Sequence, residues 1–232
     1  MRVLAFDTAT RATTVALSGV GDVVFTARHD PLPGERPGHA THLLPLVARV
    51  LARAGVGWEG VDRIAVGVGP GTFTGLRIGI ATARALARAR DLPLVAVSTL
   101  QSLALARPRP GAVPAGLDAV LSVLDARRGE VFAASWRIVE SGEFDRALLL
   151  PHAFAPEALA ELVAPLGPAT LAIGDGWIAT LQHLARENRM SWSASTRCCT
   201  PTRSRPPSRT ASGSSRRATW RKTAPGWRKA TR

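Results

Sequence analysis

The sequence predicts an α/β protein with two lobes of mixed β-sheet and packed helices, the second lobe incomplete. Three observations predict it. Short β-branched runs alternate with segments whose apolar residues recur at helical spacing, the signature of sheets covered by helices. Glycine-rich turns separate strand from helix. A Pro/Gly stretch at residues 108–116 divides the series in two. The composition, 46% apolar and 20% charged over 232 residues, is that of an ordinary globular chain.

The first lobe, residues 1–107, begins with β-rich segments at 2–8, 13–18 and 22–28, joined by a Thr-rich turn and by Gly19-Val20-Gly21. Three strands in a meander follow from that spacing. Prolines and glycines between Pro31 and Gly38 mark a loop. A helix is expected over 40–54, with Leu43, Val47, Val50 and Ala54 on one stripe and Gly55 and Gly57 closing it. Residues 63–68 form a near-continuous apolar run, the pattern of a strand covered on both faces. A second helix at 76–90 and a strand at 94–97 complete the order βββαβαβ. The second lobe, 108–187, offers strands at 117–124 and 130–138 across a turn at 125–129. A helix at 156–163 and a strand at 169–173 follow, and the sheet looks unfinished by residue 187.

Charge is distributed unevenly. Residues 1–187 carry 18 arginines against 17 carboxylates, a net of +1, whereas residues 188–232 hold 12 basic side chains and no acid. The overall net charge of +13 is therefore a property of the tail and no argument that the globular part binds nucleic acid. That tail lacks Leu, Ile, Val and Phe and cannot bury enough apolar surface to order itself, so disorder is expected. Two origins fit it. One is a basic arm for RNA phosphates with Trp220 and Trp227 as stacking faces. The other, which its composition favours, is an out-of-frame reading of GC-rich coding DNA. No apolar run reaches membrane-spanning length, and Asp7 interrupts the N-terminus too early for a secretory segment, so a cytoplasmic chain is expected. Cys198 and Cys199 are adjacent, about 3.8 Å apart at Cα, too close for an ordinary disulfide.

The sharpest motif is Gly67-Val68-Gly69-Pro70-Gly71-Thr72-Phe73-Thr74-Gly75-Leu76-Arg77-Ile78-Gly79, between a buried strand and a helix. Backbone N–H groups at such a turn can hold an anion, with Thr72 and Thr74 adding hydroxyls. Leu76-Arg77 replaces the lysine of a Walker loop, and close helix packing explains the glycines equally. Gly75, Gly79, Ala83 and Ala87 form a small-residue ridge beside Arg77, Arg84 and Arg88. That ridge suits either internal packing or a subunit interface with an acidic partner. Asp7-Thr8-Ala9-Thr10 and Gly174-Asp175-Gly176-Trp177 each follow a strand and can face a ligand or simply make a turn. His39 and His42 lie three apart without a third ligand, which favours a capping or surface role over a metal. Ser98 and Thr99 have no local base, and no nucleophile elbow is present. Spacing yields no catalytic constellation and no metal set.

Taken in order, six segments are more specific. They are Val3-Leu4-Ala5-Phe6-Asp7-Thr8-Ala9-Thr10, His39-x-x-x-Leu43-Leu44-Pro45, the run from Gly69 to Gly79, and Pro93-x-x-x-Val97-Ser98-Thr99-Leu100. Asp125-Ala126-Arg127-x-Gly129-Glu130-Val131 and Gly174-Asp175-Gly176-Trp177 complete the set. Together they closely resemble the TsaB family, glycoprotease-like relatives of the catalytic subunit TsaD. The resemblance covers residues 1–187. It implies two ASKHA (actin/sugar-kinase/Hsp70-like) lobes. It also assigns the two first-lobe helices to an interface with TsaD or a second copy of the chain, through Leu43, Val47, Arg77, Gly79, Ala83 and Arg84. In TsaD the segment matching 97–103 carries two metal-binding histidines, where this chain has Thr99 and Leu103. The implied role is a non-catalytic partner of TsaD, with a TsaE-like ATPase, in putting threonylcarbamoyl on adenosine 37 of tRNA. The chain would meet tRNA only through the complex, form a homodimer alone, touch no membrane and require no cofactor. The family's C-terminal Glu-Pro-x-Tyr-Leu-Arg type ending is missing, and the chain has no tyrosine. The alternative is an ASKHA-type phosphotransferase or ATPase. ATP or ADP would then be held by Asp7, Thr8, Gly69, Gly71, Thr72, Thr74, Gly75, Gly174 and Gly176.

Overall fold

The computed structural model describes residues 1–106, 118–139, 144–163, 166 and 170–176. The expected linker at 108–116, residues 177–187 and the basic tail lie outside the described residues.

Alternation sets up the first sheet. In β1 (Val3–Asp7), Leu4 and Phe6 are buried, and their neighbours Ala5 and Asp7 face the opposite side. β2 (Thr13–Val20) and β3 (Val23–His29) run antiparallel beside it. β4 (Arg63–Gly67) lies parallel to β1, and β5 (Leu94–Val97) lies parallel to β4. The order is β3-β2-β1-β4-β5. Helix α1 (His39–Ala54) and helix α2 (Phe73–Arg90) cover one face of this sheet. α1 ends at Gly55, whose left-handed φ of 63° turns its N–H back onto the last helical carbonyls. Leu43, Val47 and Val50 of α1 meet Leu4, Val15 and Ile64 of the sheet in a single cluster. Each such side chain contributes about 1.5–3 kcal/mol by leaving water.

Two elements depart from expectation in this half. α2 starts at Phe73, three residues before the expected point, because the glycine turn feeds straight into the first helical turn. A further helix, α3 (Thr99–Leu105), follows β5. Ser98 caps it, accepting a 3.4 Å bond from the Gln101 N–H. The Ser cap and the Leu100, Leu103, Ala104 spacing were its sequence signal.

The second sheet repeats the first. β6 (Ala119–Arg127) pairs antiparallel with β7 (Glu130–Ile138), which pairs antiparallel with β8 (Phe144–Phe154). Helix α4 (Pro156–Val163) leads to β9 (Thr170–Ile173), parallel to β6. The order β8-β7-β6-β9 is that of β3-β2-β1-β4 over again. β8 carried no clean alternation and was not expected. The β6–β7 hairpin turns on Arg128 and Gly129 alone, with Asp125 and Arg127 still in the strand. α3 belongs by packing to this half: Leu100 and Ala104 share a cluster with Val120, Trp136 and Ile173. The second core therefore begins at α3, ahead of the Pro/Gly stretch.

Among the described residues, no helix is long and apolar enough to cross a membrane.

Candidate functional site

Asp7 ends β1 on the sheet face away from α1 and α2. Gly67, its neighbour on β4, has no Cβ because the Asp7 carboxylate occupies that space. Both carboxylate oxygens are engaged. Oδ1 accepts the Ala9 N–H at 2.6 Å, closing a local turn, and Oδ2 accepts the Thr99 hydroxyl at 2.8 Å. Asp7 thereby ties the β1–β2 turn to the start of α3.

The glycine loop packs onto the same turn. The Thr72 N–H donates to the Ala9 carbonyl at 2.7 Å, and the buried Thr8 hydroxyl donates to the Gly75 carbonyl at 2.8 Å. A Cβ at Gly75 would meet the Thr8 carbonyl oxygen, one at Gly79 the Thr8 hydroxyl, and one at Gly71 the Ala9 side chain. The Thr99 N–H donates to the Gly69 carbonyl at 2.9 Å, closing the loop from its other side. Asp7, Thr8, Gly69, Gly71, Thr72 and Gly75 are thus brought together, each with an internal contact. Thr74 lies exposed on the first turn of α2.

Gly174 and Gly176 make the corresponding turn in the second lobe. Gly174 sits at φ 123°, a region open to glycine, with the Val123 carbonyl where a Cβ would be. Gly176 lies against Leu124 and Asp125, and the Asp125 N–H donates to Asp175 Oδ1 at 3.2 Å. α3 runs between the two turns. Its Thr99 bonds Asp7, and its Leu103 methyl lies 3.0 Å from the Cβ position of Gly174.

Four of the six expected interface residues are internal. Leu43, Val47 and Ala83 are at most 2% exposed and Gly79 is buried, because the stripe and ridge that carry them face the chain's own sheet. Arg77 and Arg84 are exposed. The outward strip of α1 is instead Leu44, Pro45 and Ala48, and that of α2 includes Phe73, with the Arg77 guanidinium 4.4 Å over its ring.

His39 is buried, where a capping or surface position was expected. The Thr13 hydroxyl and His39 Nδ1 lie 2.8 Å apart, and burial pushes the imidazole below its ordinary pKa while Asp7 opposes that shift. Among the described residues, no group of three or more His, Cys, Asp or Glu is placed to hold a metal ion. On the open sheet face a depression of ≈ 370 Å³ is floored by Ala5, Ala16 and Ala65 and edged by Asp7, Arg28 and Ser102.

Two mixed sheets of one strand order, joined through α3, define an ASKHA-like α/β protein. The family model for TsaD, tRNA N6-adenosine threonylcarbamoyltransferase, matches residues 36–182. The tRNA threonylcarbamoyladenosine biosynthesis protein TsaB of Escherichia coli K12 is 38% identical over 183 residues, 77% of this chain and 73% of that protein. The Bacillus subtilis 168 protein of the same name is 31% identical over 138 residues, covering 59% of this chain and 56% of its own length. Among solved structures, YeaZ from Pseudomonas aeruginosa aligns with a TM-score of 0.64 at 34% identity, covering 83% of this chain and 81% of that one. The chain belongs to the TsaB family.

Proposed function

We propose that the chain acts in tRNA threonylcarbamoyladenosine synthesis as a non-catalytic subunit, supporting a TsaD-type transferase that modifies adenosine 37. One observation carries the reading. Thr99 and Leu103 stand where the TsaD resemblance places metal-binding histidines, and both have other work. Thr99 bonds Asp7, and Leu103 packs into the second-lobe core. Neither supplies an imidazole, and each Asp7 oxygen accepts an internal hydrogen bond.

Its contribution is then a surface. The outward strips of α1 and α2 offer exposed apolar side chains, Leu44 at 51% and Phe73 at 71%, flanked by Arg77, Arg84 and Arg88. That combination suits an acidic-rimmed apolar patch on the transferase. In its absence a second copy of the chain takes the same place. A TsaE-like ATPase joins the assembly, tRNA is reached only through it, and the setting is the cytoplasm. No nucleotide is required.

The test is size-exclusion chromatography with light scattering, using the full chain and the TsaD-like protein of the same organism. Co-elution is expected, with Leu44→Glu plus Arg84→Glu weakening it at least about tenfold. A folded chain that elutes apart from its partner sinks the proposal. ATP or ADP bound by the residues around Asp7 is the competing reading. Turnover by the isolated chain that Asp7→Ala abolishes would establish it, and no binding at millimolar ATP would dismiss it.

A further inference from the structure

Where β3 meets α1, a cavity of ≈ 300 Å³ is lined by Arg28, His29, His42, Pro45, Leu46 and Arg49. Four of these six side chains carry or can take a positive charge, and no carboxylate is among them. The rings of His29 and His42 stack at 3.6 Å with 19° between their planes. Gly38 makes that stack fit, since a Cβ there would lie 2.7 Å from the His42 ring. The His29 Nδ1 atom is buried and has no hydrogen-bond partner. Such a nitrogen is costly to leave unsatisfied.

The geometry points to this cavity as a binding site for a small phosphate-bearing anion. Two imidazoles in face-to-face contact repel each other once both are protonated. A dianion between the ring edges and Arg49 removes that repulsion and supplies acceptors for the imidazole N–H groups. Arg49 is exposed on α1, and among the described residues no carboxylate forms an ion pair with it. Arg28 contributes field more than a free fork, because Asp30 holds it through bonds of 2.7–2.9 Å. Pro45 and Leu46 give an apolar wall against which the phosphate's organic substituent can rest.

The charged or titratable groups around it are Arg28, His29 and Asp30 from β3 and its end, His39, His42 and Arg49 from α1, and Asp175 after β9. Asp30, already offset by Arg28, and Asp175, which also acts on Arg28, work against the ligand. His39 lies behind the pair, and burial favours its neutral form. Free phosphate and a nucleotide's phosphate share this chemistry.

The experiment follows the imidazole signals of the full chain by NMR while inorganic phosphate, and in a second arm AMP, is titrated in. Chloride at matched ionic strength is the control. Saturable shifts of His29 and His42 are expected with phosphate and not with chloride. Tighter binding of AMP would assign the site to nucleotides, and equal binding to free phosphate. His42→Phe keeps a ring in the stack and Arg49→Gln keeps the helix. Each should weaken binding at least about tenfold, whereas Arg137→Gln on β7 should leave it unchanged. Shifts that chloride reproduces, or affinity that survives both His42→Phe and Arg49→Gln, would overturn the assignment.

Discussion

In the first lobe β1 leads outward through β2 and β3, then returns through α1 to β4. In the second, β6 leads through β7 and β8, then through α4 to β9. The same device closes each unit: a glycine turn after the fourth strand lies against the end of the first. Gly71 and Gly75 press on Thr8 and Ala9, and Gly174 and Gly176 press on residues 123–125. The cores differ. The first lobe has one cluster fed by a 16-residue and an 18-residue helix. The second divides its apolar residues between two clusters, and one of these depends on α3, an element that follows the last strand of the first sheet. Paired turns of this kind suggest a nucleotide cradle in a sequence. Here the glycines are required first by backbone contact, so their presence says little about a ligand.

The largest expected effect tests whether the second lobe depends on α3. Leu100 is fully buried in the second core. Leu100→Ala should cost about 2–5 kcal/mol, and amide exchange should show the loss in β6, β7 and β9 before β1, β2 and β4. Equal loss in both sheets would mean that the lobes unfold as one unit and that the division between their cores has no energetic meaning.

Next come the paired glycines. Gly75→Ala and Gly176→Ala each force a Cβ into neighbouring backbone, and urea titration should show about 1–3 kcal/mol lost at either position. Gly21 is the control. It has φ 59° with open space around it, so alanine there costs only the left-handed backbone preference, about 1 kcal/mol. Should Gly176→Ala prove neutral while Gly75→Ala does not, the second turn would be the looser copy.

A smaller effect belongs to the tie between the lobes. Thr99→Val removes the hydroxyl that satisfies Asp7 Oδ2 and keeps the side-chain volume. A loss of about 1–3 kcal/mol is expected on thermal unfolding, because the carboxylate oxygen loses its donor. Asp7→Asn should cost less, since the amide keeps an acceptor for Ala9 and presents a donor toward Thr99.

Much of this was legible in the sequence because the first lobe obeys local rules. The alternation of Leu4 and Phe6, the stripe of Leu43, Val47 and Val50, and the apolar run of β4 each specify an element and a buried face. What stayed hidden depended on partners distant in the chain. Asp7 finds Thr99 across 92 residues, and Leu100 finds Trp136 only after β6 and β7 have formed. The stripe and ridge residues Leu43, Val47, Gly79 and Ala83 illustrate the same limit. A run of small or apolar residues says that something packs closely; Leu43, Val47 and Ala83 pack into the first core and Gly79 against Thr8.

The smallest effect concerns His39, which has no counterpart in the second lobe's α4. Burial lowers its pKa, so the folded chain resists a proton that the unfolded chain accepts at the ordinary value near 6.5. Above that value both states are neutral and His39 costs nothing. As pH falls below it, the unfolded state binds more protons and stability declines, until the folded imidazole also titrates. The Thr13 hydroxyl fits the neutral ring by donating to it or accepting from it. Urea midpoints of the native chain should therefore drop between pH 7 and pH 5, with the first lobe losing protection ahead of the second. His39→Gln should flatten that part of the profile while lowering stability at pH 7. An unchanged slope would show that burial of His39 is not the source of the acid sensitivity.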